Sequence, residues 1–238
     1  MDKIESLKKK YYPNDAKNGT LSFYDWLRRC APPNAVVLNI GAGCTAKSQA
    51  GSLRGRVKRV VGIDLGAEVA TNSDLDCALI ADGMKIPFKT SAFDLVWADY
   101  VLEHIERPLP FLREVARVLK PGASFFFRTP NKYHYVSWVS RWTPFRFHQW
   151  ISPYLQGVRP EEDERHPTFY RLNTKREILR VTSPAGFRCA EIRLIEPEPA
   201  YLAFHPSAFL VGVAYERAVN RCSILGSLRA NILGRLEK

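Results

Sequence analysis

The chain has 238 residues, 46% of them hydrophobic and 25% charged, which excludes a fibrous or wholly disordered polypeptide. Lys and Arg number 35 against 24 Asp and Glu, and the formal net charge of +11 favours anionic partners: nucleic acid, an anionic membrane surface or a phosphorylated molecule. Five scattered cysteines with no C-x-x-C pair argue against a disulfide framework and a zinc site, and no run approaches the roughly 18 apolar residues of a membrane span.

The expected organisation is a single domain in four segments. Residues 1–31 form a basic, aromatic N-terminal helical or lid segment, in which "LSFYDWLRRC" has helical spacing and Pro32-Pro33 ends it. No apolar leader reads as a signal peptide, and the expectation is a cytoplasmic protein, with peripheral membrane contact as a variant. Over 35–130, strand-like runs alternate with helical ones. "AVVLNI", "VKRVVGIDL", "CALIAD" and "FDLVWADY" read as four strands; "LPFLREVARVLKPG" has helical spacing with a stop at Pro121-Gly122, and "ASFFFRTP" is a fifth strand. Such alternation predicts an α/β fold with a mostly parallel sheet covered by helices on both faces.

The rhythm breaks at 131–172, an aromatic stretch carrying Trp138, Trp142, Trp150, His134, His148 and His166, long enough to read as a substrate cap inserted after the fifth strand. It resumes over 173–238. There "TKREILRVT" opens on a capping box, Thr174 with Glu177, "FRCAEIRLIEP" reads as a strand, "YLAF" as a short one, and "PSAFLVGVAYERAVN" as a terminal helix with Pro206 in its first turn.

The chemistry concentrates in "VVLNIGAGCTAKS". A β-branched run turns on Gly41-Ala42-Gly43, and glycines at such a turn let backbone come close to a ligand at the carboxyl end of a strand. Three positions past Gly43 stands Ala46, which the dinucleotide fingerprint also admits. Asp64 ends "VVGIDL" just over twenty residues later. An acidic residue there can accept both hydroxyls of a ribose, although each feature alone also fits an ordinary turn or helix cap.

Taken in order, "VLNIGAG", "VVGIDL", "ADGMKIPF", "FDLVWADYVLEHI" and "VLKPGASFFF" resemble the motifs of the class I S-adenosylmethionine-dependent methyltransferases, in the small-molecule branch with "LEH" after strand four. The resemblance covers about Ala35 to Asn131 and implies a Rossmann-like, seven-stranded sheet with S-adenosyl-L-methionine as cofactor. It implies that Gly41, Ala42 and Gly43 approach the methionine end, that Asp64 holds the ribose and that Leu65 packs on the adenine. Asp82 would bond the adenine amino group, Gly83 and Met84 would complete that pocket, and Ala98 and Asp99 would lie beside the amino-acid part or sulfonium. Asn39 stands where the family commonly has an acidic residue, which weakens a through-water hold on the cofactor's amino group.

His104, in "LEHI", is the candidate general base if a hydroxyl attacks, set against a pocket-shaping role. Tyr133, His134, Arg141 and Arg146 are the candidate acceptor-binding residues, able to stack on a ring or fork a hydrogen bond to phosphate. The expected reaction is O-methylation of a small molecule such as a sugar, glycolipid or secondary metabolite, without a metal. A lipid or quinone methyltransferase and a degenerate cofactor-binding module are the alternatives, and a nicotinamide oxidoreductase is disfavoured by "LEHI" and Asp82. Nucleic acid is a disfavoured partner, because strand four ends in "ADYV" where exocyclic-amine enzymes resemble N/D-P-P-Y/F.

Overall fold

The computed structural model describes residues 3–14, 18–44, 52–137 and 167–238. Helices α1 (Lys3–Tyr11) and α2 (Gly19–Cys30) precede β1 (Val36–Ile40), β2 (Arg59–Asp64), β3 (Cys77–Ile80) and β4 (Phe93–Asp99). Then follow α3 (Pro108–Val118), β5 (Leu119–Pro130), α4 (Lys175–Thr182), β6 (Cys189–Ile195), α5 (Pro206–Arg221) and β7 (Asn231–Glu237).

The seven strands form one sheet in the order β3-β2-β1-β4-β5-β7-β6. The first five run parallel, with Ile40 opposite both Ile63 and Ala98, and Asp64 opposite Ile80. Gly122 N donates to Lys238 O and Asn131 N to Ala230 O, so β7 runs antiparallel to β5. This is the mostly parallel sheet that the alternation predicts, with the seven strands and Rossmann-like order that the resemblance implies. Its chain order reverses between β1 and β4, the place where open α/β sheets bind ligands beyond their carboxyl ends.

Contacts divide the chain into two compact units. The larger holds Phe23–Thr129, Phe169–Arg193 and Ile232–Lys238, and the smaller holds Met1–Ser22, Pro130–Thr168 and Leu194–Asn231. In the larger, α3 buries Phe111, Leu112, Val115, Ala116 and Val118, one apolar stripe at helical spacing. Phe125, Phe126 and Phe127 of β5 are all buried, as a strand covered on both faces requires. In the smaller, the Tyr12 ring meets Phe209 edge-on at 6.1 Å, and Tyr12 OH donates to the buried Glu216 at 3.2 Å, fixing α1 to α5.

Three local expectations change. Helix α3 ends at Val118 rather than at Pro121-Gly122, because Leu119 turns extended to pair with Phe93 and is buried there. "YLAF" is not a strand: Ala200–Leu202 form a 3-10 turn entered from Pro199, with Leu202 N donating to Pro199 O. The chain's last element is strand β7 rather than the helix over 206–220, which is present as α5. The aromatic segment's Trp138, Arg141, Trp142, Arg146, His148, Trp150 and His166 lie outside the described residues. The Thr174 capping box is there: Thr174 Oγ1 accepts from Glu177 N at 3.2 Å and donates to its carboxylate at 2.9 Å.

Candidate functional site

The site is assembled at the carboxyl ends of β1 to β4. Gly41 N and Ala42 N both donate to Ile63 O (2.9 and 3.1 Å), which folds the glycine turn over the end of β2. Gly41 has φ +70°, and a Cβ there would stand 2.3 Å from Val101 Cγ2, so the turn requires glycine on two counts. Gly43 has φ +53° and open space where a Cβ would be, and its N donates to Asp64 Oδ2 at 2.8 Å. Asn39 and Ala98 occupy neighbouring registers of β1 and β4, Asn39 half-buried opposite Gly62 and Trp97, Ala98 fully buried.

Asn72 completes this cradle. Its Nδ2 donates toward Ala42 O (2.9 Å), Cys44 O (3.1 Å) and Gly43 O (3.3 Å), clamping three successive carbonyls of the turn. Sequence reasoning missed Asn72, whose only local mark is a polar residue after a short turn.

Asp64 Oδ1 accepts from Gly66 N at 2.9 Å. With Gly43 N on the other oxygen, two of a carboxylate's about four acceptor positions are used, and the half-buried group retains capacity for two further donors. That is the demand of a vicinal diol. Beside it, Leu65 is 56% and Ile80 64% exposed, apolar surface of the kind that a planar base covers. Asp82 is exposed, and its Oδ1 accepts from Met84 N at 2.8 Å, which turns the chain after β3. The following loop is pinned to α3: Ile86 N donates to Glu114 Oε1 (2.8 Å), and Arg117 donates to Phe88 O (2.8 Å) and Ile86 O (2.9 Å). A Cβ on Gly83 would come within 3.1 Å of Ile40 and 3.2 Å of Phe111, so this turn packs tightly against β1 and α3.

Asp99 is committed differently. Arg128 Nε and Nη2 donate to its two oxygens at 2.6 and 2.7 Å, and Tyr24 OH donates to Oδ2 at 3.1 Å. Arg128 is 4% exposed, and its guanidinium lies 4.5 Å from the Tyr100 ring centre and 5.6 Å from that of Phe23. Burial works to lower the Arg128 pKa, but the Asp99 carboxylate together with Tyr100 and Tyr24 outweighs it and holds the guanidinium above its ordinary range. Burial, then the Asp99 charge, push the Tyr24 phenol up. Tyr100, next in the chain, has φ +57°, a left-handed conformation that a large side chain rarely adopts.

His104 is half-buried at the end of a 3-10 turn over Leu102–His104. Its neighbour Glu103 is buried; Thr129 Oγ1 donates to Glu103 Oε2 at 3.1 Å and accepts from Asn173 Nδ2 at 2.8 Å. Burial drives the Glu103 pKa from 4.5 up to about 8, so the side chain is mostly neutral at pH 7. Because the folded value lies above the unfolded one, the stability it lends is complete below about pH 4.5 and is lost as pH rises through about 8. Glu103→Gln is expected to flatten this loss and to exceed the parent at pH 8 by on the order of 2 kcal/mol. Urea unfolding at several pH values between about 5 and 9 reads it; parallel curves for the two proteins would place an ionised Glu103 in the fold.

Of the candidate acceptor residues, Tyr133 is about half exposed and His134 is buried in the smaller unit, its Nε2 3.3 Å from Glu196 Oε1. Glu196 Oε2 in turn accepts from Ala230 N at 2.6 Å, and the His134 ring lies 4.1 Å from that of Tyr135. Among the described residues no three His, Cys, Asp or Glu side chains gather as metal ligands would. No helix among them is long and apolar enough to cross a membrane.

Comparison with known proteins meets this geometry at the same residues: residues 38–127, from β1 to β5, match the family described as "Methyltransferase domain". Over those residues the chain carries a methyltransferase domain. A ubiquinone biosynthesis O-methyltransferase of Hahella chejuensis is 35% identical over 121 residues, 47% of this chain and 49% of the relative. Another, from Pseudoalteromonas translucida, is 35% identical over 104 residues, 40% and 43% of the two. The chain thus spans about half the length of the curated relatives it matches. A solved S-adenosylmethionine-dependent methyltransferase from Mesorhizobium loti shares the methyltransferase fold at TM-score 0.59 and 16% identity, covering 94% of this chain and all of that one. One from Archaeoglobus fulgidus does so at 0.57 and 14%, covering both chains throughout.

Proposed function

We propose that the chain is an S-adenosylmethionine-dependent O-methyltransferase of a small hydroxylated molecule. The observation that carries this reading is the Asp64 carboxylate, anchored by Gly43 N and Gly66 N with acceptor capacity to spare at the strand-order reversal. Bound there, S-adenosylmethionine supplies a methyl group on a sulfonium, open to in-line attack. Asp64 accepts from the ribose hydroxyls, Leu65 covers the base and Asp82 receives its amino group, with Gly83 and Met84 closing that side. The Gly41-Ala42-Gly43 backbone, with Asn39 beneath it, faces the methionine end near Ala98.

The protein's contribution to the transfer is alignment and exclusion of water. A hydroxyl acceptor must also lose its proton. His104 is the group offered for this, since the neighbouring Glu103 is largely protonated at neutral pH. Tyr133 and His134, with Arg141 and Arg146 further along the same segment, are the residues proposed to select the acceptor.

A second reading narrows the acceptor to a lipid-linked phenol of the quinone class, and the names of the relatives favour it. Transfer of labelled methyl from S-adenosylmethionine to two panels, hydroxylated sugars and glycolipids against prenylated catechols, separates the readings. Label in either panel supports an O-methyltransferase and assigns its class. Cofactor binding without transfer to either panel would turn the assignment toward a binding module.

A further inference from the structure

The smaller unit carries a surface that methyl transfer does not use. On α5, Phe209, Gly212, Val213, Glu216 and Val219 are buried. The opposite arc, about 100° wide at 3.6 residues per turn, presents Ser207, Leu210, Val211, Ala214, Ala218 and Arg221 to solvent. Leu210 is 41% and Val211 67% exposed, and Phe204 (49%) extends the apolar strip beyond the helix N-terminus. Apolar side chains gathered on one helix face, rather than scattered, mark a contact surface.

Its rim is basic. The C-terminal turn of α1 carries Lys8, Lys9 and Lys10, and Arg217 Nη2 donates to Tyr11 O at 3.2 Å, bringing that turn against α5. Arg221 is exposed at the end of the strip, and the one acid of α5, Glu216, is buried and taken up by Arg217 (Nε to Oε2, 3.3 Å), Tyr12 OH and Asn220 Nδ2, which leaves Arg221 and the α1 lysines as the rim's cations. An apolar helix face rimmed by Lys and Arg has the chemistry of a helix lying in a bilayer interface. A second copy is a poorer occupant, because pairing two such faces would oppose like charges on chains already at +11.

We infer that the outer face of α5, with the lysines of α1, docks on an anionic lipid surface. Apolar side chains enter the headgroup boundary while the rim meets phosphate, each cation raising affinity about fivefold. This does not depend on the acceptor or on transfer activity.

The test is co-sedimentation of the full chain with phosphatidylcholine vesicles and with vesicles that also contain phosphatidylglycerol. Binding is expected with the second kind only, weakening as salt is added. Leu210→Asp with Val211→Asp, both at exposed positions, should reduce it at least tenfold. Lys9→Glu with Lys10→Glu should do the same, and both variants should retain the parent's circular dichroism and S-adenosylhomocysteine affinity. No binding to anionic vesicles, or binding untouched by the α5 pair, overturns the proposal. So does a dimer in sedimentation equilibrium that the α5 pair dissolves, which would give the face to a second copy.

Discussion

Asp64→Ala is expected to lower the affinity for S-adenosylhomocysteine by about 100-fold or more, read by isothermal titration. A charged acceptor contributes roughly 1.5–3 kcal/mol per hydrogen bond, and a ribose offers two hydroxyls to the free positions of this carboxylate. The substitution also removes the acceptor for Gly43 N and Gly66 N (2.8 and 2.9 Å), so the glycine turn loses its tie to β2. Asp64→Asn separates the two effects. It keeps one oxygen, and so half of the acceptor capacity, but presents an N–H₂ where the other donor must sit, and about a tenfold loss is expected. Thermal unfolding of both variants controls for folding. Unchanged affinity in the folded Ala variant would move the ribose away from β2 and remove the main support for the proposed function.

The glycine turn after β1 and the place of Asp64 at the end of β2 were legible because each requirement is local. A turn after a buried strand needs positive φ, and an acid at the next strand's end stands one register away. The five parallel strands were legible for the same reason, as β-branched and aromatic runs bounded by turns. What escaped was set by partners distant in the chain. Asn72 clamps carbonyls some thirty residues away, and Glu103 is held largely neutral by burial, against the pull of the Thr129 hydrogen bond. Strand β7 was hidden by Gly234, where a Cβ would stand 1.9 Å from the Phe127 ring; the sheet needs a residue there that strand propensity disfavours. The 3-10 turn at 200–202 follows from Pro199 and Pro206, which bracket an aromatic tetrapeptide otherwise indistinguishable from a short strand.

Asp99 yields the largest expected stability effect. Both of its oxygens are occupied by Arg128, and one also by Tyr24, so the side chain's visible work is to hold β4, β5 and α2 in one arrangement. Arg128→Met keeps a flexible apolar stem but leaves the Asp99 carboxylate facing a largely buried surround with only the Tyr24 hydroxyl. Breaking a buried pair on one side costs about 3–5 kcal/mol, and for a chain of this length about 10 °C in Tm. The double variant Arg128→Met with Asp99→Asn, which removes both charges, should recover a large part of that loss, a coupling that a double-mutant cycle measures directly. Asp99→Asn alone should destabilise strongly while changing S-adenosylhomocysteine affinity only a few-fold, the reverse of the Asp64 pattern. A large affinity loss in a well-folded Asp99→Asn protein would instead return this carboxylate to the cofactor. In that event the Arg128 pair serves to keep Asp99 ionised and aimed, with the cofactor taking the acceptor positions that the guanidinium leaves.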